Sequence, residues 1–232
     1  MDQPTASSTA DYAAARDHMV DGQVRPNKVI DPRIIRAMRA LPRERFVPPH
    51  LASLAYADED VPLAHGRALM EPMVIARLAQ LARVREGERV LVVGAGPGYG
   101  TALLTACGGR VTALEEDEAL LAIARQTLPE FAPSAVLVQG PLAQGQPGGA
   151  PWDVILIEGA VRAIPPAIAP QLNPQGGRLV TVLAPGAVSG GQGVLAEPGQ
   201  HGGPNAVLRA QPIFDCATPL LPPLLPKPAF QF

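Results

Sequence analysis

Cysteine is scarce: the 232 residues hold only Cys107 and Cys216, far apart and without a C-x-x-C pair. That excludes a disulfide framework and a dithiol motif, and leaves reduced, structural thiols as the expected state. The four histidines, His18, His50, His65 and His201, have no ligand spacing, so no metal centre is expected. Positive charge is not in excess either. The formal net charge is −2 with no dense Lys/Arg tract, and a nucleic-acid partner, which would be held by its phosphates, is not expected. No apolar run is long enough to span a bilayer, and Met1 to Asp11 is polar where a signal peptide would have an apolar core. Neither membrane association nor export is therefore expected, and the chain reads as cytoplasmic. There is no internal repeat, and the length suits one hydrophobic core with an appendage.

What the chain does have is glycine in one decisive place. Arg89 to Gly100 reads Arg-Val-Leu-Val-Val-Gly-Ala-Gly-Pro-Gly-Tyr-Gly: an apolar run with the composition of a central parallel strand, four glycines at alternate positions, then a helix from about Thr101. Glycine suits a chain that turns sharply and lets a ligand approach backbone N–H groups. A dinucleotide fingerprint would place its third glycine at position 99, which is Tyr99. Gly94, Gly96, Gly98 and Gly100 instead fit the nucleoside-binding turn of methyltransferases, and S-adenosylmethionine is the expected cofactor. Gly94, Ala95, Gly96, Gly98 and Tyr99 are the candidate contacts. Glu115 ends the apolar run Val111 to Leu114 one βα unit downstream, where a carboxylate can accept from both ribose hydroxyls. Glu116 is its neighbouring candidate. The competing reading is a ligand-free turn, with Glu115 to Glu118 as the acidic first turn of a helix.

In chain order, residues 1–10 are expected to be disordered. Helices are expected from Tyr12 to Val20, ended by Gly22, from Asp31-Pro32 to Pro42, and from Glu71-Pro72 through Ala82. Pro42 to Pro48 is a rigid, charged segment anchored by Phe46. Between Tyr56 and Glu71 periodicity fails, which marks a loop suited to chemistry. Strands at Val90 to Val93, Val111 to Leu114, Ala135 to Gln139, Val154 to Ile157 and Arg178 to Leu183 alternate with helices, the last of these expected over Ile164 to Leu172. Two late antiparallel strands, Val194 to Glu197 and Ala206 to Phe214, follow across a glycine-rich loop. The fold class is α/β, a mostly parallel sheet covered on both faces with a C-terminal antiparallel strand pair and an N-terminal helical extension. Residues 11–218 form one domain, of which 11–84 is the substrate side and 85–218 the cofactor core; 219–232 is a proline-rich, extended tail. The carboxyl ends of the strands gather Gly94 to Gly100, Glu115, Gln139-Gly140 and Ile157 to Gly159 around one crevice.

Gln23, the run Leu41-Pro42-Arg43-Glu44-Arg45-Phe46-Val47-Pro48, Tyr56-Ala57-Asp58, Val61-Pro62-Leu63, Val90 to Gly100, Thr112 to Glu115, Ala150 to Asp153 and Gly176 to Val180 occur in an order that resembles the protein-L-isoaspartate O-methyltransferase family over residues 20 to 185. The resemblance implies a Rossmann-like seven-stranded methyltransferase fold, S-adenosylmethionine as donor, S-adenosylhomocysteine as product, and the carboxylate of an isoaspartyl residue in a damaged protein or peptide as acceptor. A monomer or small homo-oligomer is expected.

Three positions depart from the family pattern. Val92 stands where the family has an acid for the cofactor's amino-acid end. Pro141 follows Gln139-Gly140 where the family has Gly-Asp-Gly. Met70, followed by Glu71, stands where the family has a Ser beside the reacting carboxylate. Arg67 is the candidate to compensate at the acceptor by bidentate pairing with a carboxylate, or else pairs with Glu71. His65 is a candidate base, Glu158, where the family has Thr, a candidate to line the cofactor pocket or to bind the acceptor, and Gly140 a candidate cofactor contact. Two further readings stay open: a methyltransferase with a small-molecule or other protein acceptor, and a degenerate methyltransferase fold that acts as a binding protein.

Overall fold

The computed structural model describes residues 6–186, 190–199 and 208–225. Helix α1 runs Ala6–Met19, and so begins inside the ten residues expected to be disordered. It continues through a wider turn, Val20–Val24, that carries the chain past Gly22. Helix α2, Pro32–Ala40, starts as its sequence dictates: the Asp31 side chain accepts from Arg33 N–H, and proline occupies the first turn, where its missing N–H leaves nothing unsatisfied. A two-residue hairpin, β1 Val61–Pro62 against β2 Ala68–Leu69, lies inside the aperiodic stretch. It leads into α3, Pro72–Ala82.

Seven strands follow: β3 Arg89–Val93, β4 Arg110–Glu115, β5 Val136–Gln139, β6 Val154–Val161, β7 Arg178–Leu183, β8 Gly191–Pro198 and β9 Leu208–Cys216. Helix α4, Tyr99–Ala106, links β3 to β4, and α5, Glu118–Phe131, links β4 to β5. The sheet order is β5-β4-β3-β6-β7-β8-β9. The first five strands are parallel, and β8 and β9 close the edge antiparallel, as expected for the late strand pair; the loop between them lies mostly outside the described residues.

Alternation along the central strands sorts the core into two layers. Val90, Val92 and Leu156 face the helices, with Val74, Leu78 and Leu103 among their layer. Leu91, Val93, Ile155 and Ile157 face the opposite side, packed with Leu142, Trp152, Ile168, Leu172 and Leu221. The helix expected over Ile164 to Leu172 is absent: only a single turn, Ala169–Gln171, forms there. Pro165, Pro166 and Pro170 each lack the N–H that a helix needs. The chain runs outward from β3 through β4 to β5, then returns to β6 on the other side of β3. The order therefore reverses between β3 and β6, which opens a crevice at their carboxyl ends.

Candidate cofactor and acceptor site

The glycine turn leaves β3 at that reversal. Gly94, Gly96 and Gly98 all take positive φ (73°, 57° and 99°), a conformation open to glycine and strained for most other residues. Gly94 and Ala95 N–H both donate to Leu114 O, which ties the turn to the end of β4. At Gly98 an added Cβ would sit 2.8 Å from Leu128 Cδ2; at Gly96 the nearest atom would be 4.0 Å away. The turn is thus packed from below at Gly98 and approachable at Gly96.

Glu115, fully buried at the tip of β4, organises the turn. Its Oε1 accepts from Arg67 Nη1 (2.8 Å), Glu116 N (2.9 Å) and Asp117 N (3.0 Å), and its Oε2 from Arg67 Nη2 (2.9 Å) and Gly96 N (2.7 Å). A carboxylate has about four lone-pair positions, and five donors fill them. Arg67 Nη2 also donates to Gly94 O at 2.9 Å. Arg67 therefore pairs with Glu115 and not with Glu71, and its outer nitrogens are engaged inside the protein instead of facing an acceptor. The neighbouring Glu116 holds the following loop through Leu142 N (2.8 Å), and Gly140 N–H donates to Glu115 O (3.0 Å).

Glu158 lies within β6, one residue beyond Ile157, the last to pair with β3, and there the pairing with β7 slips: Leu156 pairs with Val180 and Ala160 with Val182, so four steps on β6 match two on β7. The surplus residues bulge, a device found beside sites because it re-aims a side chain. Gly159, at φ 151°, permits it. The Glu158 carboxylate lies against the first turn of α4, so close to Gly100 that a Cβ there would be 2.3 Å from Oε2. The residue is 6% exposed, and Oε2 has no hydrogen-bond partner among the described residues. Burial pushes its carboxyl up to about 8, with the Gly100 N–H and the charge of Arg67 drawing it partly back.

The remaining candidates disperse. Tyr99 is wholly buried beneath the turn, edge-on to Phe46 and under the Arg43 guanidinium, so it braces the turn from the core. Met70 is buried; its carbonyl accepts from Arg43 Nη2 (2.8 Å). Glu71 caps the entry to α3, its N–H donating to Asp60 Oδ1 (2.9 Å), and burial with the Asp58 and Asp60 charges pushes its carboxyl up to about 7. His65 has a side chain 74% exposed, with Nδ1 against Asp117 Oδ2 at the start of α5. Val92 is buried in the helix-side layer.

Two features escape sequence reasoning. Arg43 is fully buried, donating to Ala55 O and Met70 O; its place in a charged run gave no hint of that. The segment after Pro219 folds back on β6: Ala160 N–H donates to Pro219 O and Leu221 N–H to Ala160 O. Leu221 then packs over Gly94 and Gly159, and Pro222 over Gly66. Among the described residues no group of three His, Cys, Asp or Glu is placed to hold a metal, and no helix is long and apolar enough to cross a membrane.

Comparison with known proteins bears on this geometry. The family described as Protein-L-isoaspartate(D-aspartate) O-methyltransferase (PCMT) matches residues 14–192. The chain is 39% identical over 184 residues to a protein-L-isoaspartate O-methyltransferase of Methylorubrum extorquens, covering 79% of this chain and 81% of that one. It is 40% identical over 171 residues to protein-L-isoaspartate O-methyltransferase 2 of an Anaeromyxobacter species, covering 73% and 70%. Among solved structures, a protein-L-isoaspartate O-methyltransferase superposes with TM-score 0.70 at 22% identity over 88% of this chain and 64% of that one. A Plasmodium falciparum protein described as a beta-aspartate methyltransferase, in complex with S-adenosyl-L-homocysteine, superposes with TM-score 0.69 at 16% identity over 88% and 96%. At those identities the two structures speak to the fold.

Proposed function

The chain belongs to the protein-L-isoaspartate O-methyltransferase family, and from that premise we propose that it transfers a methyl group from S-adenosylmethionine to the carboxylate of isoaspartyl residues in damaged proteins. The observation that carries the proposal is the turn from Gly94 to Gly98 at the strand-order reversal, with Glu115 at the tip of the next strand. The residues fit the cofactor: Gly96 offers an approach free of side chains, and the orphaned Glu158 oxygen offers an acceptor to a cationic ligand. Gly94, Ala95, Gly96 and Gly98 would cradle it, with Glu115, Glu116 and Gly140 at the ribose and adenine end and Tyr99 bracing from below. When bound, the cofactor supplies an electrophilic methyl on a sulfonium. The chain's own part is to position the acceptor and exclude water, because a carboxylate is already ionised at neutral pH and needs no base. His65 has no role in this proposal.

Since five donors already fill Glu115, ribose hydroxyls must displace one of them, and the Arg67 guanidinium is the side-chain partner, the other three donors being backbone N–H groups. Released from Glu115, Arg67 is the cation at hand for the acceptor carboxylate. Met70, which brings no hydroxyl to the acceptor, and the half-buried Glu71 favour a second reading in which the acceptor is another molecule. We place the protein in the cytoplasm as a monomer or small homo-oligomer; its two thiols are unpaired. The test is calorimetric titration with S-adenosylmethionine and S-adenosylhomocysteine, followed by methyl transfer to an isoaspartyl peptide against its aspartyl isomer. Binding with transfer to the isoaspartyl peptide alone is expected. Binding without transfer moves the conclusion to the second reading, and no binding of either compound overturns both.

A further inference from the structure

Among the described residues, Glu158 is the one buried carboxylate at the crevice without a cation in hydrogen-bonding contact. The two nearby arginines are engaged elsewhere: Arg67 on Glu115 and Gly94 O, and Arg43 on Ala55 O and Met70 O. The charges of both reach Glu158, yet neither donates to it. A buried carboxylate oxygen left without a donor is destabilising. Here the arrangement is built in: the bulge in β6 turns the side chain toward α4, and Gly100, lacking a Cβ, makes the room.

The position of Glu158 selects its ligand. Glu115 ends β4, and Glu158 lies one residue beyond the last pair of β6 with β3, on the two strands that flank β3. Adjacent strands lie about 4.8 Å apart, so the two residues are separated by about 10 Å across the crevice. In S-adenosylmethionine, seven bonds run from ribose C3′ to the α-amino nitrogen, about 9 Å when extended at roughly 1.3 Å per bond. A cofactor with its ribose at Glu115 therefore brings its amino-acid end to Glu158. Of its two cationic centres only the ammonium carries N–H donors, which is what the orphaned oxygen lacks.

Resting on the cofactor assignment above, we propose that Glu158 is the counter-ion and hydrogen-bond acceptor for the α-ammonium of S-adenosylmethionine, a role taken from β6 because the β3 position facing the same layer is Val92. Val92 and Leu156 pair across the two strands, and Glu158, two residues beyond Leu156, stands nearer the turn. Because burial raises the pKa of its carboxyl, Glu158 releases a proton to solvent as it pairs with the ammonium, and the desolvated surroundings strengthen the pair so formed.

The test is a binding cycle on the full chain: wild type and Glu158→Gln, each titrated with S-adenosylhomocysteine and with its analogue bearing hydrogen in place of the α-amino group. In the wild type, loss of the amino group is expected to weaken binding about 30-fold. Glu158→Gln should weaken S-adenosylhomocysteine by a similar factor and leave the analogue within about two-fold. Equal binding of the two ligands by the wild type overturns the inference without any variant, as does equal weakening of both by Glu158→Gln, and in either case the cofactor assignment stands. Failure of the wild type to bind S-adenosylhomocysteine at all overturns the assignment and the inference together.

Discussion

Replacing Arg67 by alanine strands a carboxylate. Glu115 is fully buried and accepts two hydrogen bonds from the guanidinium; without them it keeps the three backbone donors Gly96, Glu116 and Asp117. Removing one partner of a buried ion pair costs about 3–5 kcal/mol, and the three remaining N–H groups place this case near about 3 kcal/mol. For a chain of this length each kcal/mol moves the melting temperature by about 2–4 °C, so a fall of about 6–12 °C is expected. Urea denaturation at pH 7 measures it, with Glu115→Gln and the double variant completing a cycle whose coupling should exceed about 2 kcal/mol. S-adenosylhomocysteine should stabilise Arg67→Ala more than the wild type, since vacated lone pairs on Glu115 are open to ribose hydroxyls. A loss under about 1 kcal/mol, or additivity in the cycle, refutes the claim that this pair holds the turn.

The raised carboxyl of Glu158 makes stability fall as pH rises: the folded state keeps a proton up to about 8 that the unfolded chain releases near 4.5, which amounts to about 5 kcal/mol across that window. Glu158→Gln should accordingly match the wild type at pH 4.5 and exceed it at pH 9 in denaturant titrations; parallel pH profiles contradict the assignment. Gly98→Ala, at φ 99° and with a Cβ 2.8 Å from Leu128 Cδ2, should lose about 1–3 kcal/mol in the same assay. Arg43→Ala removes two charge-assisted hydrogen bonds and the cation over Tyr99, and should lower stability by about 3 kcal/mol; an unchanged melting temperature contradicts the bracing role.

What could be read along the chain was whatever local physics controls. Strand burial, the Asp31 cap, the helix starts at Pro32 and Pro72 and the alternate glycines are signals within a few residues of one another, and each gave an element in its expected place. Glu115 was legible because one βα unit fixes its height on the sheet. The Arg67–Glu115 pair was not, since 48 residues separate its members and only the folded loop brings a charged side chain back over Gly94. The burial of Arg43 was not legible either, because neighbouring charges in sequence say nothing of which way each one faces; the carbonyls it donates to, Ala55 O and Met70 O, come from distant segments. The helix expected over Ile164 to Leu172 was a misreading of its own sequence: Pro165-Pro166 reads as a helix start, but with Pro170 following it too many N–H groups are missing for a helix to continue.

The fold-back of the C-terminal segment onto β6 governs how this chain is best handled. Leu221 is seated over Gly94 and Gly159, against the glycine turn itself. An affinity tag or fusion partner attached a few residues beyond this segment would thus be leashed beside the glycine turn and compete for the space a cofactor or peptide must cross. Apparent affinities from C-terminally tagged material would report the leash as well as the site.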